Sequence, residues 1–140
     1  MIGDAIILSL KLAIITSVLL FIIAIPTASL LSRANGRWKS LVEALIGLPL
    51  VLPPTVLGFY LLLAFSPNNA FGNWIGETLG LRLVFSFEGL VLASMIYSLP
   101  FMIQPIQSGL SNLPDTLREA SYALGKSRWT TLFKVELPNI

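Results

Sequence analysis

The residues with chemistry to offer are few, and the most suggestive group lies near the end of the 140-residue chain. Ala120-x-x-x-x-Gly125-Lys126-Ser127 satisfies the loosest form of the phosphate-binding loop, in which Ala replaces the first Gly. Such a loop wraps backbone amides around phosphates, sends its Lys to them and holds magnesium with its hydroxyl. It requires a strand before it and a helix opening at the Lys-Ser end. Here the order is reversed. Pro114 and Asp115 suit the first turn of a helix, "DTLREASYAL" holds only helix-compatible residues, and Gly125 stands where a helix ends in a left-handed residue. Ser127 can then cap a second short helix through "RWTTLFKVE", stopped by Pro138. The pattern predicts two short helices joined at a glycine, not a nucleotide site.

Other catalytic equipment is absent from the sequence. With no His and no Cys, the chain lacks the commonest general base, the commonest metal ligand and any thiolate or disulfide. An integral-membrane enzyme would need converging acids or nucleophiles at membrane depth, and the long runs 12–32, 44–76 and 89–114 contain no charged residue at all. Each run exceeds the roughly 20 residues needed to cross a hydrocarbon core about 30 Å thick. A soluble domain carries about 25% charged residues; this chain carries 11%, with 55% hydrophobic, and is too short to bury three such helices in a water-soluble core. The first run is read as a span rather than a removable signal peptide, because it outruns the usual apolar stretch and is preceded by Asp4 instead of a basic cluster.

The expected architecture is all-α and membrane-integral: spans over 5–31, 41–65 and 89–108, then a helix-turn-helix loop over 109–138. Arg33, Arg37 and Lys39 follow the first span, and Arg118, Lys126, Arg128 and Lys134 follow the third. Between the second and third stands Arg82 alone, beside Glu77 and Glu88. Basic residues favour the cytoplasmic side, so the N-terminus is expected outside and both basic segments in the cytoplasm. Lys11, near the outer end of the first span, either reaches the interface along its stem or faces a water-filled cavity. Pro49, Pro53 and Pro54 obstruct a continuous helix in the second span. A broken helix survives in lipid only when packed on protein or lining water. The break therefore borders a translocation path, or merely shapes packing while Gly58 admits a neighbouring helix. Gln104 and Gln107 share a face of the third span, beside Pro100 and Pro105, and suit a bridge to another helix. The connection "SPNNAFGNWIGETLG" predicts turns and a short interfacial helix over 74–79, with Phe71 and Trp74 at headgroup level.

In the final loop, Ala120, Ala123 and Leu124 make a small apolar face flanked by Tyr122 and Trp129. Such a face either docks in a groove of a partner or lies on lipid headgroups. Glu119-Ala120-Ser121, three residues, Gly125, nine residues, then Val135-x-Leu137-Pro138 resembles the cytoplasmic "EAA" loop of ATP-binding-cassette importer permeases. That pattern is Glu-Ala-Ala, three residues, Gly, nine residues, Ile-x-Leu-Pro; Ser121 and Val135 depart from it but keep small or branched shape. Upstream, "LSLKLAI", "LPLVLPPTVLGFYLLL", "LGLRLVFSFEGLVLA" and "LPFMIQPIQSGL" are similar to the molybdate-transporter permease branch. The resemblance covers essentially the whole chain.

The resemblance implies the N-terminal part of a binding-protein-dependent permease fold in a prokaryotic inner membrane. It implies a non-catalytic subunit without cofactor or metal, paired with a second permease subunit as a homodimer. Cassette ATPase subunits would sit beneath, and an extracytoplasmic binding protein would deliver the oxyanion: molybdate, tungstate or, as the alternative, sulfate. The other partner is membrane lipid, and no nucleic acid is expected. ATPase coupling is assigned to Glu119, Ala120, Ser121, Gly125, Leu137 and Pro138. Arg128 and Trp129 join them by position and character. Pro53, Pro54, Thr55, Ser98 and Gln104 are the candidates for lining the path. The family continues past "LPNI" into further spans, so a truncated permease is expected, with a non-transporting membrane adaptor as the competing class.

Overall fold

Two long helices organise the chain. The computed structural model describes residues 1–80 and 83–140, so the expected role of Arg82 lies outside the described residues. Helix α1 (Ile2–Arg33) follows the apolar run without interruption, with Pro26 accommodated inside it. The last long helix, α5 (Phe87–Ser111), starts where the Ser86 hydroxyl accepts the Gly89 N–H at 3.1 Å. The two pack side by side and run in the same direction. Lys11 Nζ sits 5.0 Å over the Phe87 ring near one end. Thr16 and Leu20 share a cleft with Ser98 and Met102 midway, and Leu31 and Leu110 belong to one buried cluster at the other end.

Ala24 and Ala28 are fully buried in that cluster. Small residues one turn apart let a neighbouring backbone approach closely, the usual basis of helix association where lipid removes the hydrophobic drive. Ile25, Ile103 and Leu132 complete the core, so the final loop, α1 and α5 share one apolar centre. Much of α1 is nevertheless turned outward, with Ile7, Ile14, Phe21 and Ile22 exposed. An exposed face this apolar suits hydrocarbon rather than water.

Between the long helices the chain folds into three shorter ones: α2 (Arg37–Val51), α3 (Pro54–Phe65) and α4 (Ala70–Leu79). The 41–65 stretch is divided at Leu52 and Pro53, both extended with ψ of 136° and 142°. A residue preceding proline is pushed away from helical geometry, and two successive prolines impose this on Leu52 and Pro53 in turn. Pro54 then takes the first helical position, where its missing N–H costs nothing. The axes of α2 and α3 differ by 109°. Among the described residues two helices, α1 and α5, are long and apolar enough to cross a membrane, and α2 with α3 adds a third if the pair crosses as one broken span. The described residues form no strand, as the all-α expectation requires.

Two local expectations change. Helix α4 begins at Ala70 rather than near 74, because Asn69 caps it by accepting the Phe71 N–H at 3.2 Å. Gly58 does not admit a close neighbour: a Cβ added there meets nothing within 4 Å among the described residues. Close neighbours stand instead at Gly72, against the backbone of Phe65 and Ser66, at Gly89, against the Leu83 carbonyl, and at Gly109, against the Ile140 side chain. Gln107 bridges helices as expected, donating to Glu43 of α2 at 2.6 Å.

Candidate functional site

Helix α6 (Asp115–Ala123) begins after Pro114, its first turn carrying Asp115 toward the positive end of the helix dipole. It ends in a paired closure: Lys126 N–H donates to Ser121 C=O at 3.2 Å and Gly125 N–H to Tyr122 C=O at 3.0 Å. This is the Schellman arrangement, and it needs a left-handed residue at Gly125, whose φ is +77°. Gly125 thus closes a helix instead of opening one, which disposes of the phosphate-loop reading on geometry. Ser127 next accepts the Thr130 N–H at 3.2 Å and starts α7 (Arg128–Thr131). The expected regular helix through residue 136 is not kept. The chain widens into a π-helical turn (Leu132–Glu136) and then tightens into a 3-10 turn (Leu137–Asn139). Pro138 has no N–H to give the carbonyl four residues earlier, so the α-helical ladder cannot run on through it.

The two arms of this elbow are held from inside. Ser121 and Thr131 are buried and their hydroxyls lie 2.7 Å apart. Outside stands an apolar group among the exposed charges of Lys126 and Lys134: Ala120 and Ala123 are exposed, Leu124 is 77% exposed, Trp129 56% and Phe133 53%. The Trp129 and Phe133 rings stack with centroids 6.3 Å apart. Glu119, Gly125 and Arg128 share this exposed surface and Pro138 is exposed farther along, whereas Ser121 faces the interior and Leu137 is half-buried. The structure therefore gathers Glu119, Ala120, Gly125, Arg128 and Trp129 on the exterior of one elbow and turns Ser121 behind it.

Behind the elbow stands a charge cluster that sequence reasoning missed. Glu136 is 2% exposed. Both of its carboxylate oxygens accept from Arg33 Nη2 at 2.9 Å. Arg118 Nε lies 2.6 Å from Oε1 as a charge contact whose N–H is not aligned for a hydrogen bond. Arg33 also donates through Nη1 to the Tyr122 hydroxyl at 2.8 Å. Arg33 is the last residue of α1, so groups from both arms of the elbow converge on the end of that helix. Arg33 and Arg118 served the sequence reading only as orientation signals, and Glu136 occupies the unspecified position of Val135-x-Leu137. An acid in that apolar stretch was the available clue, since a buried carboxylate needs partners.

The candidate path residues do not meet in one place. Pro53, Pro54 and Thr55 lie exposed at the break between α2 and α3. Ser98 lines a cleft of about 410 Å³ between α1 and α5 with Ser9, Thr16, Ser17 and Ser94. Gln104 lines a different cleft, of about 380 Å³, with Glu43, Gln107, Ser108 and Asn112.

Residues 21–140 match the family described as binding-protein-dependent transport system inner membrane component. The chain belongs to this family. It is also similar to the molybdenum transport system permease protein ModB of Azotobacter vinelandii, at 44% identity over 96% of this chain and 59% of that protein. The corresponding proteins of Haemophilus influenzae and Escherichia coli K12 are 39% and 34% identical over the same shares. A sulfate transport system permease protein of Escherichia coli K12 is 30% identical over 91% of this chain and 46% of its own length. The chain spans 59% of the length of its molybdenum-transport relatives. It is an integral membrane chain of this family, and the molybdenum-transport relatives are described as permease proteins.

Proposed function

We propose that this chain is the permease subunit of an ATP-driven molybdate importer, with tungstate as a second cargo, and that its elbow is the handle by which a separate ATPase drives it. One observation carries the reading: an elbow set by Gly125 exposes Ala120, Ala123, Leu124 and Trp129 beside Glu119 and Arg128, while the Ser121–Thr131 hydroxyl pair that ties its arms turns inward. A helix with that face suits a groove on a partner. The N-terminus lies outside, the elbow lies in the cytoplasm, and ATP is hydrolysed by the partner chain. A second permease subunit, as a homodimer, and an extracytoplasmic oxyanion-binding protein complete the assembly. Coupling follows because each nucleotide state of the ATPase fits a different state of the permease better, which is a difference in binding free energy. The identities support molybdate over sulfate, with 44% and 39% for two molybdenum-transport relatives against 34% and 30% for two sulfate-transport ones.

The test is capture of the ATPase subunit by membranes carrying this chain, comparing wild type with Gly125→Pro and Glu119→Lys. Loss of capture in both variants is expected, because one destroys the turn and the other reverses a charge on the exposed face. Capture indifferent to both would favour a membrane adaptor whose basic loop binds anionic lipid. Uptake of molybdate, tungstate and sulfate by the reconstituted transporter ranks the cargo, and sulfate uptake above molybdate would overturn that assignment.

A further inference from the structure

A buried carboxylate held by two guanidinium groups contributes little net stability compared with apolar residues of the same volume, but removing one partner is costly. Its presence therefore points to geometry. Here the geometry is specific: the last residue of α1, one residue of α6 and one of the π-helical turn meet at Glu136, with Tyr122 of α6 hydrogen-bonded to the same arginine. Arg33 and Glu136 are 103 positions apart in sequence. The apolar cluster of Leu31, Leu110 and Leu132 joins the same elements. Such contacts are non-directional and tolerate sliding, whereas a doubly accepted guanidinium contact does not.

We infer that Arg33, Glu136 and Arg118 form a mechanical joint that fixes the elbow rigidly to the end of α1, so that displacement of the elbow is delivered to the α1–α5 pair. The inference rests on the permease reading for what moves the elbow, but the joint itself is a property of this chain. These are positioning residues; none is exposed enough to serve as docking surface, and Glu136 is almost completely enclosed.

The chain has no cysteine, so two introduced at Asn35 and Lys126, both exposed, take spin labels without background. In lipid nanodiscs the distance distribution between these labels reports how firmly the elbow is held. Wild type is expected to give one narrow distribution, and Glu136→Gln a broad one. Glu136→Gln also leaves two arginines facing each other, so a second variant separates stability from positioning. Replacing Arg33, Arg118 and Glu136 together by Met removes the charges and keeps the volume, and its melting temperature is expected to equal or exceed wild type. If the joint is mechanical, this stable variant still shows the broad distribution. In the transporter reconstituted with this variant, the partner ATPase still hydrolyses ATP but at least about fivefold less substrate moves per ATP. A narrow distribution in the triple-Met variant overturns the inference and leaves the permease reading intact. Failure of ATPase capture by wild type sinks the permease reading instead.

Discussion

Ser121→Ala is the most informative single substitution, because it restores the residue that the EAA pattern carries and should nevertheless be harmful here. The Ser121 hydroxyl is 2.7 Å from that of Thr131, and both side chains are buried, Thr131 completely. Removing one partner of a buried pair costs about 1–3 kcal/mol, chiefly through the polar group left behind. Thr131 retains an escape, since a helical threonine can turn its hydroxyl to the carbonyl four residues earlier. That carbonyl, on Ser127, already accepts the Thr131 N–H at 2.9 Å. The penalty should therefore fall in the lower part of the range, about 1–2 kcal/mol, which is about a five- to thirty-fold change in an opening equilibrium. Hydrogen exchange of a peptide covering 121–131 reads this directly, through the protected amides of Gly125, Lys126 and Thr131. Exchange should accelerate by that factor in Ser121→Ala. It should return close to wild type in Ser121→Ala with Thr131→Val, where both polar partners are replaced by apolar groups of similar shape. Equal exchange in wild type and the single variant would refute the reasoning, as would a double variant worse than either single one.

Three further outcomes follow from backbone geometry. Gly125→Ala meets no atom within 4 Å, so its cost is that of a left-handed residue alone, about 1–2 kcal/mol; Gly125→Asn should cost less, and ATPase capture should rank wild type, Asn, Ala, then Pro. Gly72→Ala and Gly89→Ala would place a Cβ closer than 3.0 Å to backbone carbonyls, so both should lower the yield of monodisperse protein in detergent, whereas Gly58→Ala, in open space, should not. Replacing Pro53 and Pro54 together by Ala frees Leu52 and Pro53 from extended geometry, and labels at Leu45 and Leu62 should move apart as α2 and α3 straighten across the 109° bend.

What could be read in the sequence divides along the range of the forces involved. The elbow was legible because its determinants are local: Gly125 accepts a left-handed φ that other residues resist, and Ser127 caps whatever helix follows it. The break at Leu52 was legible for the same reason, since proline constrains its immediate neighbour. The extent of α4 was missed although its cap was local: Asn69 was read only as turn chemistry. The π-helical turn had a visible cause in Pro138, but nothing in the sequence says whether a helix meeting proline stops, kinks or widens. The charge cluster was out of reach for a different reason. Arg33, Arg118 and Glu136 come together only when α1 and the elbow share a core, and a Lys/Arg count used to orient spans treats each charge as solvated.

The elbow also separates two jobs usually performed by one surface. Its exterior offers the small apolar shape of Ala120, Ala123 and Leu124 among solvated charges such as Glu119 and Arg128, while its paired charges are turned to the rear against the end of α1. A partner that binds shape can release it when its own groove changes, because small apolar contacts are individually weak. The rear attachment must not release at the same time, or the motion would be lost in the elbow rather than passed on. Enclosed, doubly accepted charge contacts meet that requirement, since breaking them would leave a carboxylate and two guanidinium groups out of water without partners. The division also gives Ser121 a reason to differ from the Ala of the EAA pattern. It faces the seam between the two arms, where a hydroxyl pair resists the opening that a pull on one arm would produce.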